Sequence, residues 1–378
     1  MALAGSLSAT GQTIMAQLTK RQLFSLTASA AFLTSLPRAQ AAPGRQPLLE
    51  LALNENPFGP SPKAEQALAA QLKNANRYGD ALSADQFVQQ VARFENVAPE
   101  QIILGEILEL LGLFLAARAP VGGNIVYSSP GYMALVDAGK PAGLTGVGVP
   151  LDASLKNDLP ALAKAITPQT KALYLVNPHN PSGTVSAPED FEKLLRDASR
   201  KTLVIVDEAY LEYGTSVRSA VSLTRQGENV AVFRTFDKIY GLAGLPIGYL
   251  VAPRSLATAL RDAGFGNPHG LGRLAISAAS AALTDQNWVR SVHTRIAAGR
   301  TRLTQTLDSL TLKHTDSEAN FVFFQSPKPV ADVREQFAKL GIIIARPFAP
   351  LNDWLRISVG TEAEVTRVIS ALKGIFAT

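Results

Sequence analysis

The sequence predicts an α/β fold: a three-layer, mostly parallel, seven-stranded sheet forming a large domain, followed by a smaller α+β domain. Two observations predict the large sheet. Short apolar runs without polar alternation recur between residues 102 and 251, as expected for strands covered on both faces. Between them lie segments with helically spaced apolar residues, which supply the covering layers. A third observation predicts the smaller domain. Beyond about residue 255 the alternation gives way to long helical stretches and three further strands. With 378 residues and 47% apolar composition, the chain can bury one large or two moderate cores.

Residues 1–41 read as an export signal. Lys20-Arg21 precede a mildly apolar run from Leu26 to Leu36, and Ala39-Gln40-Ala41 offers a small-residue cleavage pattern. The order is similar to a twin-arginine signal with Lys20 in the first arginine's place. It predicts a periplasmic or secreted protein; a tail on a cytoplasmic protein is the alternative. The apolar run is too short to span a membrane. An arm follows over 42–75, with an extended segment at Leu48–Leu53, a turn from Asn54 to Pro62, and helical spacing at Ala64, Ala67, Leu68 and Leu72.

The large domain is expected over 76–255. The turn Asn76–Asp80 leads into a helix from about Ser83, a cap with Gln86 three residues on. Expected strands are Ile102–Leu104, Ile125–Ser128, Thr145–Pro150, Ala172–Val176, Leu203–Val206, Val230–Phe233 and Tyr249–Val251. Expected helices are Glu106–Ala117, Tyr132–Ala138, Leu159–Ala165, Pro188–Ala198 and Arg254–Ala263. The small domain, 256–378, should hold helices Gly272–Leu283 and Asn287–Leu310, strands Asn320–Gln325, Ile342–Ala345 and Leu355–Val359, and helices near Pro329–Leu340 and Glu362–Phe376.

Composition excludes several functions. The formal charge is +5, but residues 1–41 carry Lys20, Arg21 and Arg38 and no acid, leaving +5 − 3 = +2 for the rest. No basic stripe with interleaved aromatics is present, so nucleic acid is not an expected partner. The absence of cysteine removes disulfides, thiolate nucleophiles and cysteine-ligated metals. His179, His269, His293 and His314 are scattered without metal-ligand spacing, and no metal is expected.

Polar residues follow the expected strands in a telling order. Tyr132 follows Ser128-Ser-Pro-Gly131, Asn177-Pro-His-Asn-Pro-Ser-Gly183 follows the next strand, Asp207-Glu-Ala-Tyr210 another, and Lys238 the one after. Ligands bind at the carboxyl ends of parallel strands, so these groups should meet in one crevice. Pyridoxal phosphate needs such a set. A lysine takes its aldehyde and an acid keeps its ring nitrogen protonated. Hydrogen-bond donors meet its phenolate oxygen, and an aromatic face covers the ring. Lys238, Asp207, Tyr210 with Asn180, and Tyr132 match those requirements. Phe236, Ile239 and Tyr240 are expected to wall the lysine and favour its neutral amine. Each part alone has an ordinary reading: a solvated loop lysine, a helix cap at Asp207, a turn at Asn180, a core Tyr132.

The set as a whole resembles the fold-type-I pyridoxal-phosphate aminotransferases, and most of all their histidinol-phosphate branch. The matching motifs are Leu53-Asn-Glu-Asn-Pro-Phe-Gly-Pro60, Asn76-Arg-Tyr-Gly-Asp80, Asn177–Gly183, Val206-Asp-Glu-Ala-Tyr210, Arg234-Thr-Phe-Asp-Lys238, Gly241-Leu-Ala-Gly-Leu245, Ser317-Glu-Ala-Asn-Phe321 and Leu355-Arg-Ile-Ser-Val-Gly360. The resemblance covers roughly residues 48 to 376. The resemblance implies that Lys238 is the Schiff-base lysine and proton carrier and that Asp207 pairs with the pyridinium. Asn180 and Tyr210 would bond the phenolate oxygen, and Tyr132 would stack on the ring. Thr235 and the amides of Ile107 and Leu108 would face the phosphate. It also implies that Tyr78 reaches the phosphate of a neighbouring subunit, hence a homodimer. Arg356 and Arg346, with Asn56 in the first motif, would bind the substrate's anionic groups. Phe58 and Tyr240 are candidates for an apolar substrate side chain.

The sequence departs from the family at the phosphate. Glu106 stands among residues that usually carry hydroxyls, Asp237 replaces the usual serine before the lysine, and Pro246 replaces an arginine. Arg234 is the candidate to compensate. The expected activity is transfer of an amino group between an amino acid, or a histidinol-phosphate-like amine, and a 2-oxo acid. The alternatives are a decarboxylase, lyase or racemase on the same scaffold, or a non-catalytic binding protein.

Overall fold

The computed structural model describes residues 48–119 and 122–377, so the expected export segment lies outside the described residues. The described residues open with β1 (Leu49–Leu51) and α1 (Pro62–Gln71). Ser61 caps α1 by accepting from the Ala64 amide at 3.2 Å, and Pro62 occupies the first turn, where no amide is missed. Next comes α2 (Ala81–Glu95). Its cap is Asp80, not Ser83. The Asp80 carboxylate accepts from the Ser83 amide at 2.8 Å, which draws Ser83 into the first turn.

The sheet region follows in order: β2 (Ile102–Leu104), α3 (Leu108–Ala117), β3 (Asn124–Ser129), α4 (Ala134–Gly139), β4 (Thr145–Pro150), α5 (Leu159–Ala165), β5 (Thr170–Val176), α6 (Pro188–Ser199), β6 (Leu203–Asp207), α7 (Val221–Arg225), β7 (Val230–Thr235), β8 (Gly248–Val251) and α8 (Arg254–Asp262). Two helix starts differ from expectation. α3 begins at Leu108, two residues after Glu106, and α4 at Ala134, two after Tyr132. Glu106 and Tyr132 therefore stay on loops at the sheet edge. The remainder is α9 (Arg273–Thr284), α10 (Gln286–Ser309), β9 (Phe321–Gln325), α11 (Val330–Lys339), β10 (Ile342–Ile344), β11 (Trp354–Ser358) and α12 (Glu362–Phe376).

The seven-stranded sheet has the order β2-β8-β7-β6-β5-β3-β4, and only β8 runs against its neighbours. Alternate residues feed two cores. Ile205, Ala231, Phe233 and Leu250 pack with Leu111, Leu135 and Leu260 on one face. Val204, Val206, Val232 and Val251 pack with Phe87, Leu195 and Ile276 on the other. Burial on both sides is why these strands read as unbroken apolar runs. Two small sheets complete the chain: β9 with antiparallel β11, and β1 with parallel β10, which ties the N-terminal segment to the C-terminal part.

Candidate active site

The carboxyl ends of β3, β5, β6 and β7 lie along one edge of the sheet, because these strands are parallel. Tyr132, Asn180, Asp207, Tyr210, Thr235 and Lys238 all line one pocket there. Asp207 is buried at the end of β6. One carboxylate oxygen accepts from the Ala209 amide at 3.0 Å and the other from the Tyr174 hydroxyl at 3.1 Å. Burial pushes Asp207 up to about 6, while the Ala209 amide, the Tyr174 hydroxyl and the Lys238 ammonium all favour its ionised form. Tyr174 was not foreseen. It sits mid-strand on β5, and burial holds its phenol protonated, so it remains a donor.

The Tyr210 hydroxyl accepts from the side-chain amides of Asn54 at 2.9 Å and Asn180 at 3.4 Å. With both acceptor positions used, its own hydrogen is left to point into the pocket. Asn54 was missed. Asn56, two residues on, was expected at the substrate instead. Its side chain is spent on the Ile239 carbonyl at 2.8 Å and on the Phe58 amide at 3.0 Å, and it does not line the pocket. Asn54 has φ 59°, and this left-handed turn sends its side chain toward Ser358 and Tyr210. Tyr132 is 43% exposed at the rim. His179, next to Asn180, is buried with Nδ1 2.9 Å from the Ser182 hydroxyl, and burial lowers it to about 3, so it is neutral.

The expected wall around the lysine is corrected. Phe236, Ile239 and Tyr240 are core residues outside the pocket, with the Phe236 and Tyr240 rings 4.8 Å apart. Val176, Phe233 and Leu108 line the pocket instead. Phe58 is also outside; its ring lies 3.4 Å from the Arg295 guanidinium carbon.

Opposite the sheet edge, the C-terminal part contributes three arginines. Arg356 is buried on β11, donates to Asn180 Oδ1 and, at 2.7 Å, to the Ala52 carbonyl, and keeps Nε without a hydrogen-bond partner. Burial lowers it to about 10, which still leaves it charged at neutral pH. Arg346 lines the same pocket, and the guanidiniums of Arg356 and Arg346 lie 4.9 and 5.2 Å from the Phe348 ring. Arg334, on α11, was not foreseen. It lines the pocket and has a buried, unpartnered Nε.

The end of the pocket beside α3 is acidic. Glu106, Glu109 and Asp237 line it together with Leu108 and Thr235. Ile107 is a buried core residue outside the lining, while its backbone sits at the uncapped start of α3. Burial, Asp237 and Glu109 push Glu106 up to about 8, and burial also raises Asp237. Glu106 Oε1 and Asp237 Oδ1 are buried without hydrogen-bond partners. Arg234 does not compensate. Its side chain is buried among Glu95, Glu208 and Glu212, with the nearest nitrogen–oxygen distance to Glu208 3.3 Å. Pro246 lies outside the pocket. Tyr78 is 80% exposed and also outside it; its carbonyl accepts from Arg273 at 2.9 Å.

The chain that carries this lysine, buried acid, hydroxyl network and set of arginines is similar to proteins already known. Residues 46–372 match the family described as Aminotransferase class I and II. Histidinol-phosphate aminotransferase 2 of Hydrogenovibrio crunogenus is 36% identical over 335 residues, 86% of this chain and 88% of that protein. The histidinol-phosphate aminotransferase of Brevibacillus brevis is 34% identical, over 88% of this chain and 91% of that one. Among solved structures, a putative histidinol-phosphate aminotransferase from Erwinia carotovora atroseptica superposes with TM-score 0.82 at 29% identity, covering 87% of this chain and 96% of that one. The Sinorhizobium meliloti histidinol-phosphate aminotransferase, solved in complex with pyridoxal-5'-phosphate, gives 0.79 at 30%, covering 92% and 96%. With a family match that spans most of the chain and relatives above 30% identity along their length, this protein belongs to the class I and II aminotransferases.

Proposed function

We propose that the protein is a pyridoxal-phosphate-dependent transaminase that moves an amino group from an amine carrying a phosphate, or from a dicarboxylic amino acid, to a 2-oxo acid. The observation that carries this reading is the meeting of Lys238, Asp207, Tyr210, Asn180 and Tyr132 in one pocket at the carboxyl edge of the sheet. These residues fit a pyridoxal ring. Asp207 offers a buried carboxylate to a ring nitrogen, Tyr210 a free hydroxyl hydrogen to a ring oxygen, and Tyr132 an aromatic face. The phosphate end fits only in part. The uncapped first turn of α3 suits an anion, and the adjacent acids suit one only when they hold a proton.

When bound, the cofactor supplies an electron sink for a substrate carbanion. The chain's own residues do the rest. The Lys238 amine would serve as the base that takes the proton from the substrate α-carbon and holds it for return. Asp207 keeps the ring nitrogen charged. Arg356 grips the carboxylate of an amino-acid donor and orients the α C–H bond. Arg346 and Arg334 meet the second carboxylate of a dicarboxylic donor or, with Arg356, the phosphate of a phosphorylated amine. Three arginines lining the pocket are more than a monocarboxylate uses, and this supports a phosphorylated or dicarboxylic amine. The names of the relatives make histidinol phosphate the first donor to try.

Tyr78, exposed and distant from its own pocket, supports a homodimer in which it completes the partner's site. The division into residues 76–255 and 256–378, and export through residues 1–41, belong to the same proposal. Light scattering and N-terminal sequencing of secreted protein test dimer and export. The activity is tested by loading purified protein with pyridoxal phosphate and adding donors singly. Bleaching of the visible absorbance by histidinol phosphate or a dicarboxylic amino acid, with release of the keto product, is the expected result. A loaded protein that no amine bleaches would favour the binding-protein alternative, which the acidic phosphate end supports.

A further inference from the structure

We propose that Glu106 is a cofactor-positioning residue that acts as a carboxylic acid, so that the phosphorylated cofactor enters this pocket together with one proton. The inference rests on the proposed pyridoxal-phosphate reading and deepens it. The starting point is a mismatch of charge. On that reading, with Lys238, Asp207 and Tyr210 at the ring, the 5′ substituent is assigned to the part of the pocket where Glu106, Asp237 and Thr235 adjoin the uncapped start of α3. An anion there gains the orphan amides and the positive pole of α3, which amount to about half an elementary charge. Among the described residues, Glu106 and Asp237 have no ion pair with an arginine: Arg234 is spent on acids on the other side of β7, and the pocket's arginines, Arg334, Arg346 and Arg356, belong to the C-terminal part. Against that half charge stand Glu106 and Asp237, with Glu109 lining the same pocket. If both Glu106 and Asp237 were ionised, a phosphate dianion would meet net repulsion.

A proton resolves the mismatch. Glu106 and Asp237 each bury an oxygen that no protein group satisfies, Oε1 and Oδ1 respectively. Such atoms need a partner when a ligand excludes water. Protonated Glu106 becomes a donor, and a phosphate oxygen becomes its acceptor. The proton comes from solvent, joins a Glu106 oxygen and leaves the phosphate dianionic; no bond is broken. The charged groups around Glu106 agree with this. Asp237 beyond β7, Glu109 on α3 and Asp207 on β6 oppose its ionisation, and Lys238 alone favours it. Burial first, and these acids second, push its pKa up to about 8, into the range where the proton can be exchanged under ordinary conditions. Family members with hydroxyls in these positions would bind the phosphate without such a linkage.

The test compares pyridoxal phosphate with pyridoxal, which lacks the phosphate, on the full-length protein. Dissociation constants are read by visible absorbance from pH 7 to 9.5. The expected result is that Kd for pyridoxal phosphate rises about 10-fold per pH unit above pH 8, relative to the pyridoxal profile. Glu106→Gln, which donates from its amide at any pH, should flatten that extra slope and bind pyridoxal phosphate about 10-fold more tightly than the parent at pH 9. Parallel profiles for the two compounds would overturn the inference and leave the transaminase reading standing. So would an unchanged slope in Glu106→Gln. If that variant fails to fold, the two parent profiles decide alone. Should the protein bind neither compound at any pH, the cofactor reading fails first and this inference goes with it.

Discussion

The two sides of β7 treat buried acid in opposite ways. On one side Glu95, Glu208 and Glu212 surround the Arg234 guanidinium, and the Tyr249 hydroxyl also donates to Glu95. The Ser219 hydroxyl and Ala220 amide bind Glu208 as well, at 2.8 and 2.6 Å. On the other side Glu106 and Asp237 face the pocket, each with an oxygen left unsatisfied, and neither has an arginine ion pair among the described residues. The residue types are the same; an arginine ion pair separates them. An acid cluster with its own guanidinium is finished when the chain folds. One without it is completed only by something that arrives later.

That contrast can be broken in several places. The largest effect should come from Lys238→Ala, which removes the pocket's reacting amine. Amino transfer should fall to background and the visible absorbance of bound cofactor should vanish, while stability in urea changes by less than about 1 kcal/mol, since Lys238 is only half-buried. Arg234→Ala should do the reverse. It strands three acids in the core and should cost about 3–5 kcal/mol of unfolding free energy, because breaking a buried pair leaves uncompensated charge. Retained stability in that variant would show that the two clusters are not different in kind.

Arg356→Lys comes next. A lysine cannot keep both the Asn180 and Ala52 contacts and a fork for a carboxylate, so KM for carboxylate donors should rise about 10- to 100-fold, with a smaller change in kcat. The smallest effect concerns stability against pH. Glu106 is raised from 4.5 to about 8 in the folded protein. Between those values the folded chain holds a proton that the unfolded chain has lost, so this group's contribution is full below about pH 4.5 and declines as pH rises through about 8. Thermal melts of cofactor-free Glu106→Gln should match the parent near pH 4.5 and lie above it at pH 8.5. Equal shifts in the two proteins would mean that Glu106 titrates normally.

Most of the sheet was legible because two-sided burial writes itself as apolar runs; β2, buried throughout, has the bounds expected of it, as do the exposed edge strand β4 and the helix α5. Helix starts were less so. Asp80 captured the Ser83 amide, a choice between two capping residues three apart that composition does not decide. The pocket's hidden members depend on register and long-range contact. Tyr174 reaches Asp207 because β5 and β6 pair Tyr174 with Ile205, setting Asp207 two residues along the same face. Asn54 rather than Asn56 reaches Tyr210 because of a single left-handed turn. Arg334 belongs to a helix whose docking the local pattern does not reveal. The acids at the phosphate end were visible as departures from a motif, but their lack of partners became visible only with Arg234 seen facing away.

The ladder between β1 and β10 bears on how the protein is made. Leu49, Glu50 and Leu51 pair with Ile342, Ile343 and Ile344, and the segment just after them supplies Ala52 and Asn54 to the pocket. During synthesis β1 has no mate until β10 has left the ribosome, and closing so long a loop is slow. A nascent chain therefore lacks one wall of its crevice, and cofactor loading becomes a privilege of completed molecules.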